Sequence, residues 1–296
     1  MDMADEAILQ LLKSDGRLAH REIARRSGLS RSTVAARLQR LLTSGEVEVR
    51  GVVHPAVIGR GSLAHASLSV TGRAEPVAAR IAERDDVPFV SLTSGLASII
   101  AEIRAGSTLR VDEVVGALRS LDGVRTVETL PYTEVLRDVI GPVGEVTHEV
   151  DEVDIALLRA LQDDGRVPYV ELARLVGLSP AGVRRRVVRL LEGEVVRVGA
   201  LVRQSGEDNQ LSMGLGIQLD GGHREVTRAL LDMPAISFLA RTLGRFDLLA
   251  TVRTFMHGQL TETLETVRSL PGVSAVDSWS HLRFVKETYA VAELGG

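Results

Sequence analysis

Ser32, Thr33, Ala36 and Arg40, with Arg37 on the flank, fall on one side of a helix whose other side carries Val34, Leu38, Leu41 and Leu42. The pattern returns at an offset of 149 residues, where Ala181, Gly182, Arg185 and Arg189, with Arg186 on the flank, lie opposite Val183. Short side chains at the start of a helix allow close approach to base edges in a groove. Arginines farther along suit bidentate contact with guanine or attachment to phosphate. An arginine on one helix equally serves solvation. The same geometry twice, each time in a locally basic segment, favours contact with double-stranded DNA. The two exposed faces differ, Ser/Thr-rich in one and Arg-rich in the other. Two unlike half-sites are therefore expected, with Arg185 contributing to one only.

These helices sit inside a long internal repeat. GLSRSTVAARLQRL (28–41) reappears as GLSPAGVRRRVVRL (177–190), Asp15-Gly16-Arg17 as Asp164-Gly165-Arg166, and LRSLDGVRTVETLPYTEVLRD (118–138) as VRSLPGVSAVDSWSHLRFVKE (267–287). A period this long is a duplicated domain pair and not a solenoid. Each unit opens with three short helices. Ile8, Leu11 and Leu12 stripe the first, and Ile23 and Ala24 lie on the second. Ser30 and Ser179 stand as N-caps of the third, with Pro180 at its first position and Gly28 and Gly177 in the preceding turn. The β-rich stretches EVEVRGVVHP and EVVRVGALVR that follow suit a small wing. Strands and helices then alternate in the order βαββαβ, a ferredoxin-like arrangement. The expected fold is α+β, with a winged helix-turn-helix followed by a ferredoxin-like domain and the whole unit repeated twice. The boundaries read as 1–54 and 152–203 for the helix-turn-helix domains, 61–138 and 210–290 for the ferredoxin-like domains, and 139–151 for the linker.

Composition narrows the classes. The 296 residues carry a net charge of −4, but segments 1–50 and 152–203 each hold nine Lys+Arg against seven Asp+Glu, leaving −8 for the rest. Cysteine is absent, which removes disulfides, thiol nucleophiles and cysteine-bound metals. No apolar run approaches the roughly 20 residues that span a bilayer, and MDMADEAILQ does not read as a signal peptide, so the default address is cytoplasmic. The seven histidines (His20, His54, His65, His148, His223, His257 and His281) show no metal-binding helix spacing, and no Walker loop, dinucleotide fingerprint or nucleophile elbow is present. No catalytic residue, metal or cofactor is expected. Single histidines most often belong to the surface or to a satisfied core.

The DGRVPYVELARLVGLS run (164–179) with its third helix, and GRFDLLATV at 244–252, resemble the Lrp/AsnC family of regulators, and the likeness extends over essentially the whole chain, twice. Family members usually carry one unit per chain. The resemblance implies a sequence-specific DNA-binding regulator, a homo-oligomer, with a small effector such as an amino acid in a cleft between paired ferredoxin-like domains. Gly244, Arg245 and Asp247, with Thr242 beside them, match the turn bordering that cleft. Gly and Asp favour any hairpin turn, so a purely structural role is the competing reading. Gly95-Leu96-Ala97-Ser98 occupies the matching place in the first unit without the aromatic or the carboxylate. The two halves are expected either to pair within the chain or with the halves of another chain. Sirohaem decarboxylases share this architecture and supply the enzymatic alternative.

Overall fold

A computed structural model describes residues 2–139, 141–146, 148–202 and 211–288. The expected ends of the second half's domains at 203, 210 and 290 lie outside these described residues. The first half runs α1 (Met3–Ser14), α2 (His20–Ser27), α3 (Arg31–Thr43), β1 (Val47–Val53), β2 (Ser62–Val70), α4 (Ala74–Ala82), β3 (Phe89–Thr93), β4 (Ile99–Ala105), α5 (Thr108–Arg119) and β5 (Val124–Arg137). The second repeats the order as α6 (Glu152–Asp163), α7 (Tyr169–Val176), α8 (Pro180–Glu192), β6 (Val196–Val202), β7 (Leu211–Leu219), α9 (Arg224–Leu231), β8 (Ile236–Thr242), β9 (Leu248–Thr254), α10 (His257–Ser269) and β10 (Val273–Glu287). The chain forms two compact units, and like joins like. One gathers the helix-turn-helix segments of both halves (Met1–Ile58 with Ile140–Asp208), the other both βαββαβ segments (Gly59–Val139 with Asn209–Thr288). The halves therefore pair within one chain.

In the head unit, Ile8, Leu12, Ile23, Val34, Leu38 and Leu41 close one three-helix core and Leu157, Leu161, Leu172, Val183, Val187 and Leu190 the other, merging into one cluster. Each head contributes a single strand. The wing expected from the sequence is a ribbon shared by both, with β1 antiparallel to β6 from Val47↔Val202 to Val53↔Val196. The repeated Asp-Gly-Arg run is what brings the heads together. Gly16 N–H donates to Val198 O and Gly165 N–H to Val49 O, both at 2.8 Å. A Cβ on Gly16 would stand 2.7 Å from Val49, and one on Gly165 2.6 Å from Val198, so only glycine permits the approach. Arg17 then donates to the carbonyls of Gly165 (2.6 Å) and Val167 (3.0 Å), while Arg166 donates to those of Gly16 (2.5 Å) and Leu18 (3.1 Å). The exchange is reciprocal and charge-assisted, the stronger kind of hydrogen bond.

The second unit is a closed antiparallel barrel of eight strands in the order β10-β3-β4-β2-β5-β8-β9-β7. Two seams join the halves, β5 to β8 (Tyr132↔Thr242) and β10 to β3 (His281↔Thr93). Alternate strand residues such as Ala64, Ala66, Ile99, Ala101 and Ile103 pack with α4 and α5, and Leu215, Ile217, Leu248, Ala250 and Val252 with α9 and α10. Closure removes the free sheet edges that each half alone would expose. A second reciprocal latch holds the seams. Arg137 donates to the carbonyls of Leu231, Met233 (3.0 Å) and Ile236 (2.8 Å), around the end of α9. Its counterpart Lys286 donates to the carbonyl of Arg84 (2.6 Å), just past α4.

Candidate nucleic-acid interface and effector turn

Both recognition helices start as the sequence indicates. Ser30 Oγ accepts from Thr33 N–H at 3.1 Å and Ser179 Oγ from Gly182 N–H at 3.1 Å, and Gly28 and Gly177 take left-handed φ values of 73° and 68°. Ser32, Ala36, Ala181 and Arg185 are exposed, and Thr33 and Gly182 half-buried. A concavity on the second head is lined by Leu178, Ser179, Gly182, Arg185, Arg186 and Arg189.

Four of the five predicted DNA-contacting arginines have protein partners. Arg37 reaches Asp2 (2.7 Å) and Asp5 (2.9 Å), and Arg40 reaches Asp5 (2.6 Å). Arg186 repeats this with Asp151 (2.7 Å) and Asp154 (2.9 Å), and Arg189 with Asp154 (2.5 Å). Asp5 and Asp154 are buried and complete the capping boxes of α1 and α6. Burial alone would raise the Asp5 carboxyl, but hydrogen bonds from Arg40 and Arg37 outweigh it and hold the group at about 2. These arginines thus fasten the recognition helix to the first helix of its own head. Arg40 and Arg189 remain about half exposed. Arg185 alone of the five has no hydrogen bond or ion pair among the described residues.

The Gly244–Asp247 turn joins β8 to β9. Thr242 is buried and its hydroxyl donates to Phe246 O at 2.5 Å, while Thr242 N–H donates to Asp247 O at 3.0 Å. Asp247 Oδ2 accepts from Leu219 N–H at 2.8 Å. Arg245 pairs with Asp277 and lies 3.7 Å from Glu128, its guanidinium 4.5 Å from the centre of the Phe246 ring. Gly244 has φ +130°, and a Cβ there would meet Leu130 at 2.7 Å. Thr242, Gly244, Arg245 and Asp247 are therefore brought together, each engaged in building the turn. The first half makes the same turn by the same staple, Thr93 Oγ1 donating to Ala97 O at 2.9 Å, and leaves Leu96 exposed.

The barrel also gathers residues that sequence reasoning left apart. His65 and Trp279 lie 5.8 Å apart between ring centres, Trp279 and His281 6.5 Å, and His281 and Phe284 are stacked at 5.5 Å. Nearby, Arg104 pairs with Glu102 (2.5 Å) and Asp138 (3.2 Å), and Arg253 with Glu287. Trp279 Nε1 and His281 Nδ1 are buried without a hydrogen-bond partner among the described residues. Burial pushes the Glu102 carboxyl up and lowers His65 to about 4; burial, then the Arg253 and His65 charges, lowers His281 to about 3. The sequence signal was the alternation in IIAEIRA, where Glu102 and Arg104 share the face opposite Ala101 and Ile103. Such a face ordinarily meets water, and here the closed barrel turns it inward. No group of three His, Asp or Glu among the described residues is placed to hold a metal ion.

A pH dependence follows. Unfolded histidine takes up its proton near 6.5, whereas His65 and His281 do so in the folded barrel only near 4 and 3. Between these values the unfolded chain binds more protons, so stability falls as pH drops. The expected loss between pH 7 and pH 4 is on the order of 3 kcal/mol for each histidine, roughly 6 kcal/mol for the pair. Urea midpoints read from the single tryptophan, Trp279, across that range measure it, and His65→Gln with His281→Gln flattens the profile. An unchanged slope in that double variant counts against histidine as the cause.

Comparison with known proteins agrees with this architecture. Residues 1–47 match a winged helix-turn-helix DNA-binding domain, residues 150–191 an AsnC-type helix-turn-helix domain, and residues 220–294 the PF0864 C-terminal dimeric alpha+beta barrel domain. Curated relatives include the HTH-type transcriptional regulator FL11 of Pyrococcus abyssi, 28% identical over 141 residues, which are 47% of this chain and 93% of that protein. The HTH-type transcriptional regulator LysM of Sulfurisphaera tokodaii is 25% identical over 135 residues, 46% of this chain and 96% of that protein. Among solved structures, the siroheme decarboxylase NirDL superposes with a TM-score of 0.65, covering 96% of this chain and 93% of that one at 15% identity, a likeness of fold. The class is thus a protein with two helix-turn-helix heads and one α+β barrel, the barrel completed by the βαββαβ segments of both halves. Its two helix-turn-helix segments and its barrel are similar to domains of the Lrp/AsnC-type transcriptional regulators, present here in tandem.

Proposed function

We propose that this chain binds double-stranded DNA through both heads and that a small effector, an amino acid, adjusts the binding from the Gly244–Asp247 turn. The supporting observation is the pair of capped recognition helices, each with an exposed outer face, latched side by side by Arg17 and Arg166. The turn adds Arg245 and Asp247, both exposed, beside Asp277 and Glu128, a charged surface suited to an ammonium and a carboxylate. The cytoplasm is the proposed location. No helix among the described residues is long and apolar enough to cross a membrane. Further assembly into a homo-oligomer belongs to the same reading and is checked by light scattering.

Retardation of the protein's own upstream DNA, repeated across the amino acids, tests the regulator. Titration calorimetry with the responding amino acid and Asp247→Ala tests the turn. The variant is expected to weaken binding about tenfold or more, the loss of one charge-assisted contact. Unchanged affinity in Asp247→Ala retires the turn as the site. Sirohaem forms the contrasting arm, since a new absorbance band together with no DNA retardation favours the decarboxylase reading.

A further inference from the structure

The two heads are alike in the charges they neutralise and unlike in the charges they leave over. With Arg37 and Arg40 tied to Asp2 and Asp5, and Arg186 and Arg189 to Asp151 and Asp154, the remaining cations define what each head can offer DNA. Besides Arg174 in the last turn of α7, these are on the second head Arg184 and Arg185, both exposed and without an ion pair or hydrogen bond among the described residues. They are the fifth and sixth residues of α8, behind the short Ala181 and Gly182. The first head has Ala35 and Ala36 at those two positions. Its exposed cations without ion pairs are Arg21, on α2, and Arg31, at the start of α3, whereas Arg25 and Arg26 share Glu22.

The helix before the recognition helix tells the same story in reverse. Where α2 carries Arg21 and Arg26, α7 carries Val170 and Leu175, 50% and 60% exposed. In this motif the earlier helix crosses the phosphate backbone while the early residues of the recognition helix meet base edges. With Arg174 as its one exposed cation against Arg21, Arg25 and Arg26 on α2, α7 is the poorer phosphate track. The α3 helix, whose Arg37 and Arg40 are tied to Asp2 and Asp5 and which has alanines where α8 has Arg184 and Arg185, is the poorer guanine reader. Phosphate contacts supply salt-dependent affinity without sequence information; bidentate arginine–guanine contacts supply discrimination.

We infer that the heads divide the work: the second reads guanine-bearing base pairs through Arg184 and Arg185, and the first anchors the complex to phosphates through Arg21 and Arg31. The preferred site is then non-palindromic, with its sequence information concentrated under the second head. This rests on the DNA-binding reading above.

The test uses the full chain. Duplexes selected from a random pool by the wild-type protein are compared with unrelated duplexes of equal length, across a salt series. Arg184→Ala with Arg185→Ala is expected to cut the preference for selected over unrelated duplex by about tenfold or more. Arg21→Ala with Arg31→Ala is expected to weaken both duplexes by similar factors and to lower the salt slope by about 2, keeping the preference. All four side chains are exposed, and matching melting curves confirm intact folds. A palindromic selected sequence, or a preference lost equally in the two double variants, overturns the division of work. If the wild-type chain retards no duplex at all, the regulator reading falls, and this inference with it.

Discussion

Replacing Arg186 and Arg189 together by alanine is expected to destabilise the head unit by about 3–5 kcal/mol, because it strands the buried Asp154 carboxylate without a counter-charge. Asp154 is fully buried, and both of its oxygens are held by these two arginines. Desolvation makes an unpaired charge there far costlier than a lost surface pair, whose worth is about 0–1 kcal/mol. Far-UV circular dichroism during urea unfolding reads the loss, since the single tryptophan lies in the barrel. Adding Asp154→Asn is expected to recover a large part of it by removing the stranded charge. The same holds for Arg37, Arg40 and Asp5 in the first head. Lost DNA binding with unchanged stability would instead show that these arginines act only at the DNA. A scan of recognition-helix arginines that measured DNA binding alone would confuse the two roles.

The second large effect is expected in the barrel. Gly214 lies opposite Trp279 across the β7–β10 pair, and a Cβ on Gly214 would fall 2.1 Å from the indole. Gly216 makes the same provision for Phe246, at 2.4 Å. Gly214→Ala is therefore expected to cost about 3 kcal/mol, at the upper end for overpacking, because the ring is wedged among Leu130, Phe246 and Leu249. The first half solves the same volume the other way, with His65 opposite Leu130. In a Trp279→Leu background the penalty of Gly214→Ala should shrink below about 1 kcal/mol, since the colliding ring is gone. A penalty equal in both backgrounds would locate the strain in the backbone. Thermal unfolding followed by circular dichroism serves all four chains.

Much of this was legible in the residues. The helix-turn-helix cores were, because Leu38, Leu41 and their counterparts recur at helical spacing and Ser30 and Ser179 cap as serine does. The βαββαβ order was, because strands such as IIAEIRA alternate cleanly. What alternation could not tell is whether the polar face meets water or a second sheet, and this hid His65, Glu102, Arg104 and His281 inside the barrel. Helical wheels placed Arg40 and Arg189 on an outer face without revealing their carboxylates, which lie 35 residues away in sequence and meet them only after folding. The turn residues Thr242 and Asp247 were found by likeness. That they staple their own hairpin became visible only from the hydrogen bonds.

The reciprocal cations, Arg17 with Arg166 and Arg137 with Lys286, have a consequence for dosage. In a regulator assembled from separate subunits, the fraction paired depends on how much protein the cell makes, and unlike subunits yield mixtures. Here both members of each latch are delivered by one translation event, so every molecule carries one head of each kind at any expression level. Changing the protein's abundance then alters how often a site is filled, never which combination of heads fills it.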